Sequence, residues 1–166
     1  MKRSFSFMVV AATWIVALLA GAACSSSGEP QPPKIDYGRD LCDHCGMVID
    51  DPRFAAALLL DNGQAVKFDD LGEAFAYIAE NPNVSVRARF VHDFQTQEWL
   101  RGEKAFFVVS EQVHSPMATG VAAFADRSQA DSFARGVGAK VLAFDEVHMA
   151  LKSMPMSMPN MPKMNK

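Results

Sequence analysis

The chain has 166 residues, with 16 Lys and Arg against 19 Asp and Glu and a formal net charge of −3. Acids and bases are well mixed, so no basic face is available and nucleic acid is excluded as a partner. Past the N-terminal apolar run no segment is apolar enough to span a bilayer, and three cysteines cannot all pair with one another.

The N-terminus sets the compartment. "MKRSFSFMVVAATWIVALLAGAAC" opens with Lys2 and Arg3, continues with an apolar run from Phe7 to Ala20, and reaches Cys24 through small residues. Residues 1–23 read as an export signal, too short and wrongly flanked for a spanning helix. Cys24, followed by Ser25-Ser26-Ser27-Gly28, resembles a lipoprotein processing site, although Gly21 stands where a leucine is more usual. Cys24 is then the lipidated first residue of the mature chain. The competing reading is ordinary cleavage near Ala23, which leaves an exposed thiol in an oxidising compartment. Residues 24–36, rich in serine, glycine and proline, form a tether with nothing to bury. The expected location is the cell envelope, facing the periplasm, on the outer membrane if the cell is Gram-negative.

Residues 37–150 are long enough for one domain. "RFAAALLL" and "QAVKF" flank Asp61-Asn62-Gly63, and Asn-Gly is a strong hairpin turn. A helix is predicted over "DLGEAFAYIAE", with Asp70 and Glu73 at capping-box spacing and Leu71, Ala74, Phe75 and Ile78 on one face. "VSVRARFVHDF" then alternates as a strand does. The second half repeats the plan. "KAFFVVS" and "GVAAFAD" read as strands, a helix starts at Ser128 with Asp131 in capping-box position, and "AKVLAFDEV" is the closing strand. Aligning Phe68 with Phe124 also matches Asp70 to Asp126, Ala74 to Ala130 and Tyr77 to Phe133. The fold class expected is α+β, two ββαβ units with helices packed on a mostly antiparallel sheet.

"LCDHCGMVID" concentrates the chemistry. With Cys24 lipidated, Cys42 and Cys45 are the remaining pair. A thioredoxin-like motif needs a helix after the first cysteine, and here Pro52 and a β-like run follow instead. Tetrahedral zinc needs further ligands, for which His92, His114 and His148 are available. A disulfide closes only a tiny loop and leaves Met47 unexplained. Thiolate and thioether sulfurs select Cu(I) over harder ions, and Gly46 lets the backbone turn tightly between Cys45 and Met47. A lone methionine reads as a core residue; beside two cysteines, ligand and core are nearly balanced readings of Met47. Asp69, Asp70 and Asp93 read as helix-start and turn residues, since carboxylates are poor Cu(I) donors.

The C-terminal "SMPMSMPNMPKMNK", within residues 151–166, sets Met154, Met156, Met158, Met161 and Met164 among prolines. Such a segment cannot form an ordinary helical apolar face and is expected to be disordered. It reads as a weak Cu(I) collector or as a low-complexity tail without function.

Taken together, "CDHCGMVIDDPRFAAALLLDNGQAVKFDDLGEAFAYI" resembles the NosL family of accessory lipoproteins of nitrous oxide reductase maturation. The likeness continues through "VHDFQTQEWLRGEKAFFVVSEQVHSPMATGVAAFADRSQADSFARGVGAKVLAFDEV", with Asp93, Trp99 and Ser115-Pro116-Met117 in order. It implies a lipid-anchored, periplasm-facing Cu(I) chaperone with no turnover, its fold related to organomercurial lyase. The partners it implies are nitrous oxide reductase and the membrane transporter complex of the same assembly pathway. It also makes Met117 a ligand beside Cys42, Cys45 and Met47. His44 stands where an aromatic residue is common and is a possible additional ligand, as are Met154, Met156 and Met158. The alternatives are a thiol-disulfide oxidoreductase or a zinc module built on the Cys-x-x-Cys pair.

Overall fold

A computed structural model describes residues 28–153. The expected export signal, Cys24 and the methionines from Met154 onward lie outside the described residues.

The first unit forms where the turn chemistry placed it. Gly63, at φ +85°, closes the reversal between β1 (Ala56–Leu60) and β2 (Ala65–Phe68), a backbone conformation that a β-carbon disfavours. The strands pair antiparallel, with Ala56 opposite Phe68 and Leu58 opposite Val66. Helix α1 (Leu71–Glu80) follows, its N-terminus capped by Asp70, which accepts from the Gly72 N–H at 3.0 Å. Strand β3 (Val86–His92) returns beside β1, and β4 (Trp99–Arg101) extends the sheet to the order β2-β1-β3-β4.

The second unit repeats this connection. Strands β5 (Phe106–Val109) and β6 (Val121–Phe124) form a hairpin, helix α2 (Arg127–Gly136) follows, and β7 (Val141–Leu142) completes a sheet of order β6-β5-β7. In both sheets the unit's first strand is central, and every strand pair is antiparallel. The residues aligned in sequence are equivalent in space. Phe68 and Phe124 end the second strand of their units, both fully buried, and Asp70 and Asp126 cap the helices that follow.

Strand periodicity divides the core. On β5 and β6, Phe107, Val121 and Ala123 enter the main cluster, while Val108, Ala122 and Phe124 face a second cluster with Ala130 and Ala134 of α2. The second sheet is therefore buried on both faces. The main cluster also takes Leu58 and Val66 from the first sheet, Leu71 and Phe75 from α1, and Ile35, Cys42 and Ile49 from the N-terminal segment. The halves are stitched by Phe94, whose N–H donates to the Ala123 carbonyl at 2.8 Å, and by Asp93, which accepts from the Ala125 N–H at 2.7 Å.

Four local expectations are corrected. Ile35, expected in the tether, is buried in the main cluster, and residues 151–153, expected in the tail, end the last helix with Leu151 buried. The helix cap in the second unit is Asp126 rather than Ser128; Asp126 accepts from the Gln129 N–H at 3.0 Å, and α2 starts at Arg127. The closing strand is only Val141–Leu142, because the chain turns into a helix, α3 (Phe144–Ser153). Phe144, Val147 and Leu151 have helical spacing, and Val147 and Leu151 are buried in the main cluster. Glu146 reaches back to the Ala143 N–H at 2.7 Å, which is half of a capping box. The other half is missing because residue 143 is alanine, so the usual start signal is absent from the sequence.

Candidate metal centre

The cysteines sit on a folded-back segment laid against the edge of β2. Gly38 N–H donates to the Ile49 carbonyl at 2.8 Å, Ile49 N–H to Asp40 at 2.9 Å and Cys42 N–H to Met47 at 2.7 Å. Inside that loop Gly46 N–H donates to the Cys42 carbonyl at 2.9 Å, and Gly46 adopts φ +78°. The turn expected at Gly46 is therefore present, and a β-carbon there would strain it. Lys67 docks the segment. Its carbonyl accepts from the Asp43 N–H at 2.8 Å, its N–H donates to Asp43 Oδ2 at 2.6 Å, and its ammonium pairs with Asp40 at 2.7 Å. Two residues on, Asp69 lies beside the loop.

Helix α1 supplies the facing wall. The Cys42 thiol donates to Glu73 Oε2 at 3.0 Å, and the Cys45 thiol donates to Asp69 Oδ1 at 3.3 Å. One donor atom from each of these four residues lies within 4.8 Å of every other. Cys42, Asp69 and Glu73 are buried and Cys45 is half-buried. Asp69 Oδ2 is buried with no hydrogen-bond partner among the described residues. His44 bridges outward, with Nδ1 at 3.2 Å from Glu73 and Nε2 at 3.1 Å from Glu80, edge-on to the ring of Tyr77. Glu73, Tyr77 and Glu80 follow one another at three- and four-residue steps along one stripe of α1 that faces the loop, and Asp69 joins them from the turn before the N-cap Asp70.

The electrostatics hold the thiols neutral. Burial pushes the Cys42 thiol far above its ordinary range, and the hydrogen bond to Glu73 adds to this. Burial likewise pushes Cys45 up to about 11, with Glu73 and Asp69 contributing. Glu73 is raised by burial and then by the neighbouring Asp69. Burial disfavours the charged form of His44, but its bonds to Glu80 and Glu73 prevail and raise it. A redox cysteine needs the opposite, a depressed pKa at a helix start. Here a turn follows Cys42 rather than a helix, and both cysteines are free thiols. A soft cation can replace the two thiol protons, leaving a pair of thiolates whose sulfurs lie 3.0 and 3.3 Å from two carboxylates.

The remaining expected residues lie at the loop surface and on other elements. Met47 is 50% exposed, in an apolar rim with Leu41 and Val48. Met117 is half-buried on the loop between β5 and β6, its N–H donating to Asp70 Oδ2 at 2.9 Å. The histidines considered for zinc are not in the cluster. His92 is buried and engaged at both ring nitrogens, with the Tyr37 hydroxyl at 2.7 Å and the Gln97 carbonyl at 2.6 Å. His114 is exposed and His148 half-buried. Asp70 and Asp93 do serve as helix-start and turn residues, but Asp69 and Glu73 were missed. Glu73 was read as a capping-box partner, yet its carboxylate faces Cys42 and His44. No spacing rule joins the two acids, because Asp69 precedes the extended N-cap Asp70 and only Glu73, Tyr77 and Glu80 share a helix face.

Comparison with known proteins identifies the family and the fold. The family model NosL matches residues 34–152. A relative described as copper-binding lipoprotein NosL, from Stutzerimonas stutzeri, is 26% identical over 155 residues, covering 85% of this chain and 82% of its own length. The crystal structure of the copper chaperone NosL from Shewanella denitrificans superposes with a TM-score of 0.63 at 21% identity, covering 71% of this chain and 96% of that one. That likeness establishes the shared fold.

Proposed function

The chain belongs to the NosL family, and we propose that it is a Cu(I) metallochaperone of the cell envelope, anchored through a lipid on Cys24. On this reading it carries copper as cargo for assembly of the copper centre of nitrous oxide reductase. Its partners are that enzyme and the membrane assembly complex, and it performs no turnover itself. The observation that carries the reading is the convergence of the Cys42 and Cys45 sulfurs beneath α1, with their thiols already aimed at carboxylates. Two soft sulfurs give Cu(I) a low coordination number, and such a site stays open to a client's incoming ligand. Met47 at the exposed rim and Met117 on the second unit's loop are the proposed thioether donors, with His44 and the tail methionines Met154, Met156 and Met158 as accessory ones.

The test is a Cu(I) titration of the reduced protein against a competing chelator. Wild type is expected to withhold copper from small thiols. Cys42→Ala and Cys45→Ala should each lose most of the affinity, and Met47→Leu less, because a thioether carries no charge. Wild-type affinity in both cysteine variants sinks the reading. Transfer to the copper-free reductase, followed by recovery of its activity, tests the client.

One observation favours a second metal at the same place. Two thiolates and two carboxylates make the four-donor set that Zn²⁺ takes, and Asp69 Oδ2 lacks a partner among the described residues. Zinc binding lost in Asp69→Asn while Cu(I) binding is retained would establish that use.

A further inference from the structure

Asp69 and Asp70 are adjacent, yet they serve different halves of the molecule. Asp69 accepts from the Cys45 thiol in the first unit. Asp70 is fully buried and points at the loop between β5 and β6 of the second unit. Its Oδ2 accepts from the Ser115 hydroxyl at 2.6 Å and from the Met117 N–H at 2.9 Å, and its Oδ1 accepts from the Thr119 hydroxyl and the Gly72 N–H. A helix cap needs only the last of these. Among the described residues, the carboxylate of Asp126, the equivalent residue of the second unit, bonds only within its own helix start, to Ser128 and Gln129.

The loop that Asp70 grips carries a residue in a disfavoured conformation and lies close against the helix start. Ala118 takes a left-handed conformation at φ +56°, which a side chain disfavours. Gly72 lets the loop approach, since a β-carbon there would overlap the Thr119 side chain. A buried carboxylate with four donors, three of them from one loop 45 to 49 residues away, fixes that loop against the start of α1.

We propose that Asp70 is a positioning residue for copper binding, holding the Ser115–Thr119 loop so that Met117 closes the site formed by Cys42 and Cys45. The inference rests on Met117 being a ligand, and the experiment separates the two claims. Cu(I) affinity by chelator competition, and the number of sulfurs on copper by X-ray absorption, are measured for Asp70→Asn, Met117→Leu, the double variant and Asp126→Asn. Asp70→Asn is expected to weaken binding by about 10- to 100-fold, the usual range for a residue that orients a ligand, and to remove one sulfur from copper. In the Met117→Leu background it should add nothing, because the ligand it positions is already gone. Asp126→Asn, at a cap that touches no distant loop, should leave both copper readouts unchanged.

Full affinity and an unchanged sulfur count in Asp70→Asn overturn the positioning role, as do multiplicative effects of the two substitutions. If Met117→Leu alone binds like wild type, the ligand assignment fails and this inference fails with it. Should Asp70→Asn not fold, Ser115→Ala and Thr119→Val each remove one bond to the same carboxylate. Each is expected to weaken copper binding in the wild-type background and not beside Met117→Leu; wild-type affinity in both overturns the proposal.

Discussion

The Cys42 thiol donates to Glu73 Oε2 at 3.0 Å, a bond that joins a loop to a helix residue 31 positions further along. With Cys45 on Asp69 it gives the metal-free site a definite protonation state, neutral thiols resting on acids. The pair is thereby kept from casual oxidation, because the thiolate is the reactive form.

That state has a pH consequence. Cys45 is raised from 9.0 to about 11 in the folded chain. A group whose folded pKa lies above its unfolded value contributes stability that is full below the unfolded value and lost as pH rises through the folded one. The melting temperature of the reduced, metal-free protein should therefore fall between about pH 9 and pH 11. Cys45→Ser, which does not titrate there, should flatten the decline. Iodoacetamide at pH 8 should modify the folded protein more slowly than the same protein in denaturant; equal rates contradict the shift.

Local chemistry made much of this architecture legible. Asn62-Gly63 fixed the first hairpin, and the matched Phe-x-Asp steps at Phe68 and Phe124 revealed the duplicated unit. The candidate metal site was half legible. Cysteine spacing identified the loop, but the acids facing it were hidden, because Glu73 fits a capping box as well as it fits a wall. The docking of Asp40 and Asp43 on Lys67 brings Asp69 beside Cys45, and a tertiary contact of that kind leaves no mark on either segment alone. The last helix was hidden for a different reason. Val141, Leu142 and Phe144 suit a strand, while the deciding burial of Val147 and Leu151 depends on the second sheet.

Asp93 should act as an acid-sensitive joint between the halves. Burial opposes its charge, but N–H groups of Ala125, Thr96 and Gln95 outweigh that and hold its carboxyl below the usual value of 3.8. A depressed pKa contributes stability above the unfolded value, lost as pH falls through the folded one. Asp93→Asn should cost about 2 kcal/mol at pH 7, the scale of hydrogen bonds to a charged group. In urea unfolding, the gap from wild type should narrow as pH drops below 3.8. A gap that is constant with pH would mean that the charge contributes nothing.

The helix starts offer a paired test. Asp126→Ala removes the α2 cap and should destabilise by about 1 kcal/mol. Ala143→Ser supplies the missing half of the box whose other half is Glu146, on an exposed residue, and should stabilise by about 0.5–1 kcal/mol. Thermal unfolding reads both, and a destabilised Ala143→Ser would contradict the half-box.

The anchor is tested by labelling. Cells fed a tagged fatty acid should mark the wild-type chain, and Cys24→Ala should lose the mark. Equal labelling of both removes the lipid from the proposed function.

The C-terminal methionines pose the last question, and the fold says where to cut. Leu151 is buried in the main cluster and α3 runs to Ser153, so truncation at residue 150 would remove a core side chain and confuse folding with binding. Truncation after Ser153 removes Met154, Met156, Met158, Met161 and Met164 and leaves every described contact in place. The truncated protein should melt as wild type does and keep the high-affinity Cu(I) equivalent, because Cys42 and Cys45 belong to the domain. Total copper bound at saturation, or the rate of loading from a weak donor, should fall, since the thioethers offer only weak, exchangeable sites. Loss of the high-affinity equivalent itself would place the main site in the tail and reverse the roles assigned to the two regions.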